Sequence, residues 1–270
     1  MHTDITLLTL DHPGAHDPVY RLRRDHIAEL AHTFHENGGD IPRAHYTAEE
    51  TAIWRQVFLR LAPLHERLAR RSYLEGKKLL GLNEDNIPEL ADLSIVLQKH
   101  DGFALHPIGG LVDSRSFLAT LATRTMLCTQ YIRHGSKPEY TPEPDVIHEL
   151  IGHAPTFLDP ELVSLTELFG RTAARVDDEG LSKLERLYWF TLEFGLIEEP
   201  EGIRMLGAGI LSSIGECERA FAPTTKRIPF DLEAIVSTPY DFSAMQPHYV
   251  ICPPLPELHA RIAEFCQQLT

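Results

Sequence analysis

The sequence predicts a mainly α protein, on three observations. Helix-start signals recur from residue 17 to the C-terminal segment, apolar residues follow them three or four apart, and sustained alternation of apolar and polar residues is absent. With 270 residues and 43% hydrophobic content the chain can bury a sizeable core. No repeat, low-complexity tract or Pro/Gly/Ser linker divides it, so residues 1–270 are expected to form one domain.

The elements follow in order. Asp17 and Pro18 form an N-cap and first helical residue, and Leu22, Ile27, Leu30, Ala31 and Phe34 give an apolar stripe that ends at Gly38-Gly39. "TAEE" at Thr47–Glu50 is a capping box, followed by a stripe of Trp54, Val57, Phe58, Leu61, Leu64 and Leu68. Further helices are expected from about Pro88, Ser116, Pro160, Ser182 (in "SKLE"), Ser213 and Pro256. "GFALHPIGG" and "HYVIC" are the two candidate strands.

Charge and cysteine usage narrow the function classes. The 25 Lys+Arg are outweighed by 39 Asp+Glu, and no basic run could track a phosphate backbone, so nucleic acid is not an expected partner. No run of roughly eighteen apolar residues occurs, which predicts a soluble protein. Cys128, Cys217, Cys252 and Cys266 lack CxxC spacing and are expected to be reduced thiols in the cytoplasm.

The stretch "TPEPDVIHELIGHAPTF" carries the chemistry. His148 and His153 are one residue further apart than the histidines of HExxH, and on a regular α-helix that places them ~140° apart instead of ~40°. A way for both to face one metal is a helix opened by Pro144, favoured by Asp145 at its positive end and stopped at Gly152 in the left-handed conformation, with Pro155 preventing its resumption. The best third ligand is Glu193, a lone carboxylate in the apolar helical run "RLYWFTLEFGL". Two histidines and a carboxylate suit a non-haem Fe(II) oxygenase; a zinc hydrolase with Glu149 as base uses the same ligand types. A helical binding protein with incidental histidines is the third possibility.

"CTQYIRHGSKPEYTPEPDVIHELIGHAP", "LYWFTLEFGL" and "GAGILSSIGE", with "LDHPGAHDPVYRLRR" and "NEDNIP" before them, resemble the catalytic domain of the pterin-dependent aromatic amino acid hydroxylases over nearly the whole chain. The resemblance implies a helical basket around one iron held by His148, His153 and Glu193. It also implies tetrahydrobiopterin as electron donor and O₂ as co-substrate. For the pterin it implies backbone groups of Gly110, Leu111, Val112 and Ser114, stacking by Phe117, and contacts from Glu149 and Tyr188. Leu127 departs from the family, whose members usually carry His there. For the amino acid it implies Arg133 on the carboxylate with Thr141 and Ser212 nearby, a ring pocket of Trp189, Phe194 and Pro144, and a role for Glu216, which "SSIGE" alone would make a capping-box residue.

The wording around Tyr140-Thr141, and Trp189 where the tryptophan hydroxylases carry Phe, imply hydroxylation of L-phenylalanine to L-tyrosine. Tyrosine or tryptophan hydroxylation and meta attack on phenylalanine are the alternatives. Asp241-Phe242 departs from the family, and Asp241 could accept a phenolic hydrogen bond or be an ordinary exposed carboxylate. Members known from animals carry a regulatory domain and a C-terminal oligomerisation helix. Neither is expected in this chain, which implies a monomer or weak oligomer.

Overall fold

The computed structural model describes Leu8 and residues 12–139, 141, 143–242 and 244–270; Tyr140 lies outside the described residues. Helices dominate. The first four are α1 (Pro18–Asn37), α2 (Ala48–Leu68), α3 (Arg71–Leu79) and α4 (Leu90–His100). Strand β1 (Ala104–Ile108), helix α5 (Ser114–Leu121) and strand β2 (Thr125–Thr129) come next. After the site segment come α6 (Pro160–Ala173), α7 (Asp178–Tyr188), strands β3 (Leu196–Glu199) and β4 (Gly202–Met205), and helices α8 (Ala208–Leu211) and α9 (Ile214–Phe221). Strand β5 (Lys226–Pro229), α10 (Leu232–Ser237), β6 (His248–Cys252) and α11 (Leu255–Leu269) complete the chain.

The capping signals place the helices well. Asp17 accepts hydrogen bonds from the amides of Val19 and Tyr20, Thr47 and Glu50 close a reciprocal capping box, and Gly38 ends α1 at φ +66°. Two expectations fail locally. Leu22 is 70% exposed while Arg24 takes the buried position on α1, and Ser182 lies inside α7, whose cap is Asp177. Helix α5 starts two residues before Ser116, capped by Asp113. Helix α3 has no side-chain cap, and strands β3 to β5 span only four residues each, so none of them announces itself in the sequence.

Strands β1 and β2 pair in parallel, from Ala104 with Thr125 to Ile108 with Thr129, and α5 crosses between them. The other sheet has the order β4-β3-β6-β5, with β3 antiparallel to β4 and β6 parallel to both β3 and β5. One contiguous apolar core runs from Trp54 on α2 to Cys266 on α11. The carboxyl ends of β1 and β2 open at a cavity lined by Ile108, Gly110 and Thr129, the usual place for a ligand beside parallel strands.

Candidate active site

The extra residue between His148 and His153 is absorbed by the helix itself. His148–His153 is a π-helical turn, followed by a 3₁₀ turn over Ala154–Leu158. Bonding from residue i to i+5 puts side chains five apart onto one face, as i to i+4 bonding does for side chains four apart in an α-helix. The expected stop at Gly152 is therefore wrong. Gly152 has no left-handed conformation, and its lack of a side chain serves close packing instead, because a Cβ there would lie 2.7 Å from the carbonyl oxygen of Ala208 on α8. Pro155 does not end helical structure either; it occupies the first turn of the 3₁₀ segment.

A second π turn, Trp189–Glu193, continues α7 and delivers Glu193 to the same point. Glu193 Oε1 lies 3.1 Å from His153 Nε2, Glu193 Oε2 lies 3.6 Å from His148 Nε2, and the two Nε2 atoms are 3.1 Å apart. Burial holds His148 neutral, its pKa falling to about 4. Burial also opposes charge on His153 and Glu193, but their mutual attraction outweighs it, raising the His153 pKa and lowering that of Glu193.

Each imidazole is oriented from behind. Ser212 Oγ donates to the Ala208 carbonyl at 2.8 Å and so accepts from His148 Nδ1 at 3.0 Å, which leaves the Nε2 lone pair of His148 pointing at the cluster. His153 stacks on Phe157 at 6.4 Å between centroids, and Phe157 stacks on Phe103 at 4.1 Å.

Glu149 is the competing carboxylate, with an oxygen within 4.8 Å of the imidazole nitrogens. Its Oε1 is taken by the amide and hydroxyl of Thr129, each at 3.1 Å, and its Oε2 has no partner among the described residues. Burial pushes its pKa up to about 7. A carboxyl tied to β2 in this way is poorly placed as the base of a zinc hydrolase and better placed to meet a hydrogen-bonding ligand beside the cluster.

Apart from Asp241, every residue singled out from the sequence for metal, pterin or substrate lines one cavity of about 480 Å³, within the usual range for a small-ligand site. Gly110, Leu111, Val112, Ser114, Phe117, Glu149 and Tyr188 line it, with Phe117 edge-on to Tyr188 at 6.0 Å. Leu127 lines it as well, an apolar side chain where the family usually carries a polar one. Thr141, Pro144, Trp189, Phe194 and Ser212 line the same cavity.

Arg133 is not a solvated loop charge. It is 3% exposed and clasped by the fully buried Asp145, through Nε at 2.9 Å and Nη2 at 2.8 Å. Nη1 donates to the carbonyl of Pro138 at 3.2 Å. Of five guanidinium hydrogens, two are left uncommitted by the described residues, one on each terminal nitrogen. Asp145 also accepts from the amide of His148 at 3.1 Å, so one carboxylate ties Arg133 to the π turn. Sequence reasoning placed Asp145 at a helix start and missed this link, for which a buried-charge argument between "IRH" and "PEPD" was the available signal.

Glu216 proves to be an anchor. Ser213 caps its amide, but its carboxylate accepts from the amide of Gln246 at 3.0 Å and from the Tyr249 hydroxyl, and does not complete a capping box. Trp189 stacks on Tyr240 at 4.4 Å and donates to Gln246 Oε1 at 3.0 Å, two partners that the sequence did not announce. Asp241 is not among the residues lining the cavity, whereas Phe242 is.

A family model described as biopterin-dependent aromatic amino acid hydroxylase matches residues 3–270. Phenylalanine-4-hydroxylase of Rattus norvegicus is 42% identical over 262 residues, covering 96% of this chain and 58% of the relative. Tyrosine 3-monooxygenase of Rattus norvegicus is 43% identical over 248 residues, covering 90% and 50%. The chain thus spans little more than half the length of these curated relatives. The crystal structure of Chromobacterium violaceum phenylalanine hydroxylase with bound iron(III) and 7,8-dihydrobiopterin superposes with a TM-score of 0.77 at 33% identity, covering 83% of each chain.

Proposed function

Because the chain belongs to the biopterin-dependent aromatic amino acid hydroxylases, we propose that it is a monooxygenase that uses Fe(II), a tetrahydropterin and O₂ to hydroxylate L-phenylalanine to L-tyrosine. The observation that carries this reading is the convergence of His148, His153 and Glu193 in a cavity that also presents Arg133 and Trp189. The donor set fits iron. Two imidazole nitrogens and one carboxylate are the donor types of non-haem iron sites and would leave positions open for further ligands. The proton that His153 now shares with Glu193 is one that a divalent cation would displace.

The pterin wall also fits its ligand. Glu149 Oε2 is a buried oxygen without a partner among the described residues, and Glu149 lines the same cavity as Gly110, Leu111, Val112 and the half-buried Phe117. Such a surface suits a flat heterocycle with hydrogen-bonding edges. Iron and pterin together would supply the activation of O₂.

The remaining tasks fall to this chain's residues. The two uncommitted N–H groups of Arg133 match a carboxylate in a two-pronged bond, and Asp145 fixes the direction of that fork. Trp189, held between Tyr240, Phe194 and Gln246, forms a rigid wall for the substrate ring. Its bulk leaves less room for indole than for phenyl, which favours phenylalanine over tryptophan. Glu149, His153 and Glu193 are buried and His148 partly buried in a mainly apolar cavity, which limits the contact of the reacting groups with bulk water. Four buried free cysteines agree with a reducing cytoplasmic setting, and among the described residues no helix is long and apolar enough to cross a membrane.

The test is anaerobic loading with Fe(II), then incubation of L-phenylalanine with tetrahydropterin and O₂ and mass spectrometry of the products. A product one oxygen heavier that co-elutes with tyrosine, dependent on iron and pterin, is expected. Iron-loaded protein that turns over none of the three aromatic amino acids would refute the assignment.

A further inference from the structure

One buried titratable cluster lies outside the cavity. His65 on α2 is 1% exposed, and Tyr73 and Lys77 on α3 are 3% and 9% exposed. Lys77 Nζ lies 3.2 Å from His65 Nδ1, and His65 Nε2 lies 2.7 Å from the carbonyl oxygen of Leu211. An ammonium only donates and a carbonyl only accepts, so Nδ1 is the bare nitrogen and Nε2 carries the hydrogen. Tyr73 gives its proton to the carbonyl of Ile151 at 2.8 Å and sits 3.4 Å from the same Nδ1.

Packing does not account for Lys77. Its ammonium lies 4.0 Å above the ring of Phe58, and Glu66 and Glu84 act on it only through space. Burying an ammonium without a carboxylate in contact is costly, and an unbranched apolar side chain would fill the same volume. The histidine is buried in its neutral form, since burial and the neighbouring lysine push its pKa down to about 3.

The cluster reaches the candidate metal site at two points. Ile151 lies inside the π turn, between the two histidines. Leu211 is the last residue of α8 and precedes Ser212, the residue that accepts from His148 Nδ1. Helix α8 is pressed against the same turn, with Ala208 on Gly152.

We propose that Lys77, His65 and Tyr73 are positioning residues for the metal centre. Lys77 fixes the tautomer of His65, His65 holds the carboxyl end of α8 so that Ser212 meets His148, and Tyr73 holds the π turn through the Ile151 carbonyl. The inference rests on the reading of His148, His153 and Glu193 as metal ligands.

The experiment compares wild type with Lys77→Met, His65→Leu and His65→Gln. The first readout is Co(II) titration, followed by the visible d–d bands; the second is the imidazole ¹⁵N shifts of the metal-free protein. Lys77→Met and His65→Leu, which act through Ser212, should each weaken Co(II) binding by up to the about ten- to hundredfold that losing a ligand's own outer partner costs, and should shift the d–d bands. His65→Gln keeps an N–H for Leu211 and should restore most of the affinity. In the metal-free protein His148 should be the Nδ1–H tautomer in wild type and a mixture in His65→Leu. Thermal melting separates these effects from loss of fold, since Lys77→Met should melt no lower than wild type. Unchanged Co(II) affinity and spectra in both Lys77→Met and His65→Leu would overturn the proposal, as would an unchanged His148 tautomer in His65→Leu. Failure of wild type to bind Co(II), or binding that survives His148→Ala, would instead overturn the metal assignment itself.

Discussion

Trp189 donates its indole N–H to the side-chain oxygen of Gln246 at 3.0 Å, and this bond ties the lining of the cavity to a loop more than fifty residues further along the chain. The amide of Gln246 is in turn bound to Glu216 at 3.0 Å, and Glu216 is also held by Tyr249 on β6. A ring gripped at its edge, stacked on Tyr240 and met at a tilt by Phe194 has little freedom to move aside for a larger substrate.

Trp189→Phe should therefore narrow the preference for phenylalanine over tryptophan by about 1–3 kcal/mol, the usual worth of a change in pocket shape. Wild type should favour phenylalanine over both other aromatic amino acids. Competition between the amino acids in one reaction measures both quantities. A wild type that prefers tryptophan or tyrosine would end the specificity argument and leave the family assignment intact.

Arg133 has two partners to lose. Arg133→Gln should raise the KM for the amino acid roughly ten- to a hundredfold, with little change for the pterin. It also strands the fully buried Asp145, which should cost about 3–5 kcal/mol of stability. Steady-state kinetics beside a denaturant titration separates the two effects. Equal changes in both KM values would make Arg133 structural only.

The two buried carboxylates should divide their roles. Glu193→Ala should abolish tight Fe(II) binding, whereas Glu149→Ala should retain iron and weaken the coupling of pterin oxidation to product formation. Metal analysis and the ratio of pterin consumed to product formed supply the comparison. Full iron loss in Glu149→Ala would mean that the wrong carboxylate had been assigned to the metal.

Lys77 makes a prediction about pH. Burial lowers its pKa from 10.5 to about 8, so between those values the unfolded chain binds more protons than the folded one, and stability rises with pH. The destabilisation is fully present below pH 8 and is relieved by roughly 3 kcal/mol across the window. Relative to wild type, Lys77→Met should be more stable near neutrality and should lose that advantage as pH approaches 10.5. Denaturant midpoints at three pH values suffice to measure it, and a constant difference between the two proteins would contradict it.

What the sequence revealed followed from local chemistry. Asp17-Pro18, the Thr47–Glu50 box, Pro160 and Ser213 are start signals formed by neighbouring residues, and each sits where its helix starts. Glu193 stood out because a lone charge in an apolar run needs a partner, and the partners were the two histidines. The π turns were not legible, since the residues of "HELIGH" and "WFTLE" suit an α-helix equally well. The roles of Asp145, Gln246 and Gly152 depend on contacts 12, 57 and 56 residues distant, beyond any local pattern. Leu22 shows the converse error, an apolar residue at helical spacing that faces solvent.

The central claim is that two π turns deliver His148, His153 and Glu193 to one metal while Glu149 stays on the pterin wall. The most direct measurement is an anomalous difference map at the iron edge from anaerobic crystals loaded with Fe(II). The account predicts a single strong peak at coordination distance from His148 Nε2, His153 Nε2 and the Glu193 carboxylate, with Glu149 still bonded to Thr129. A peak held by Glu149 in place of Glu193, or iron bound by only one of the two histidines, would contradict it.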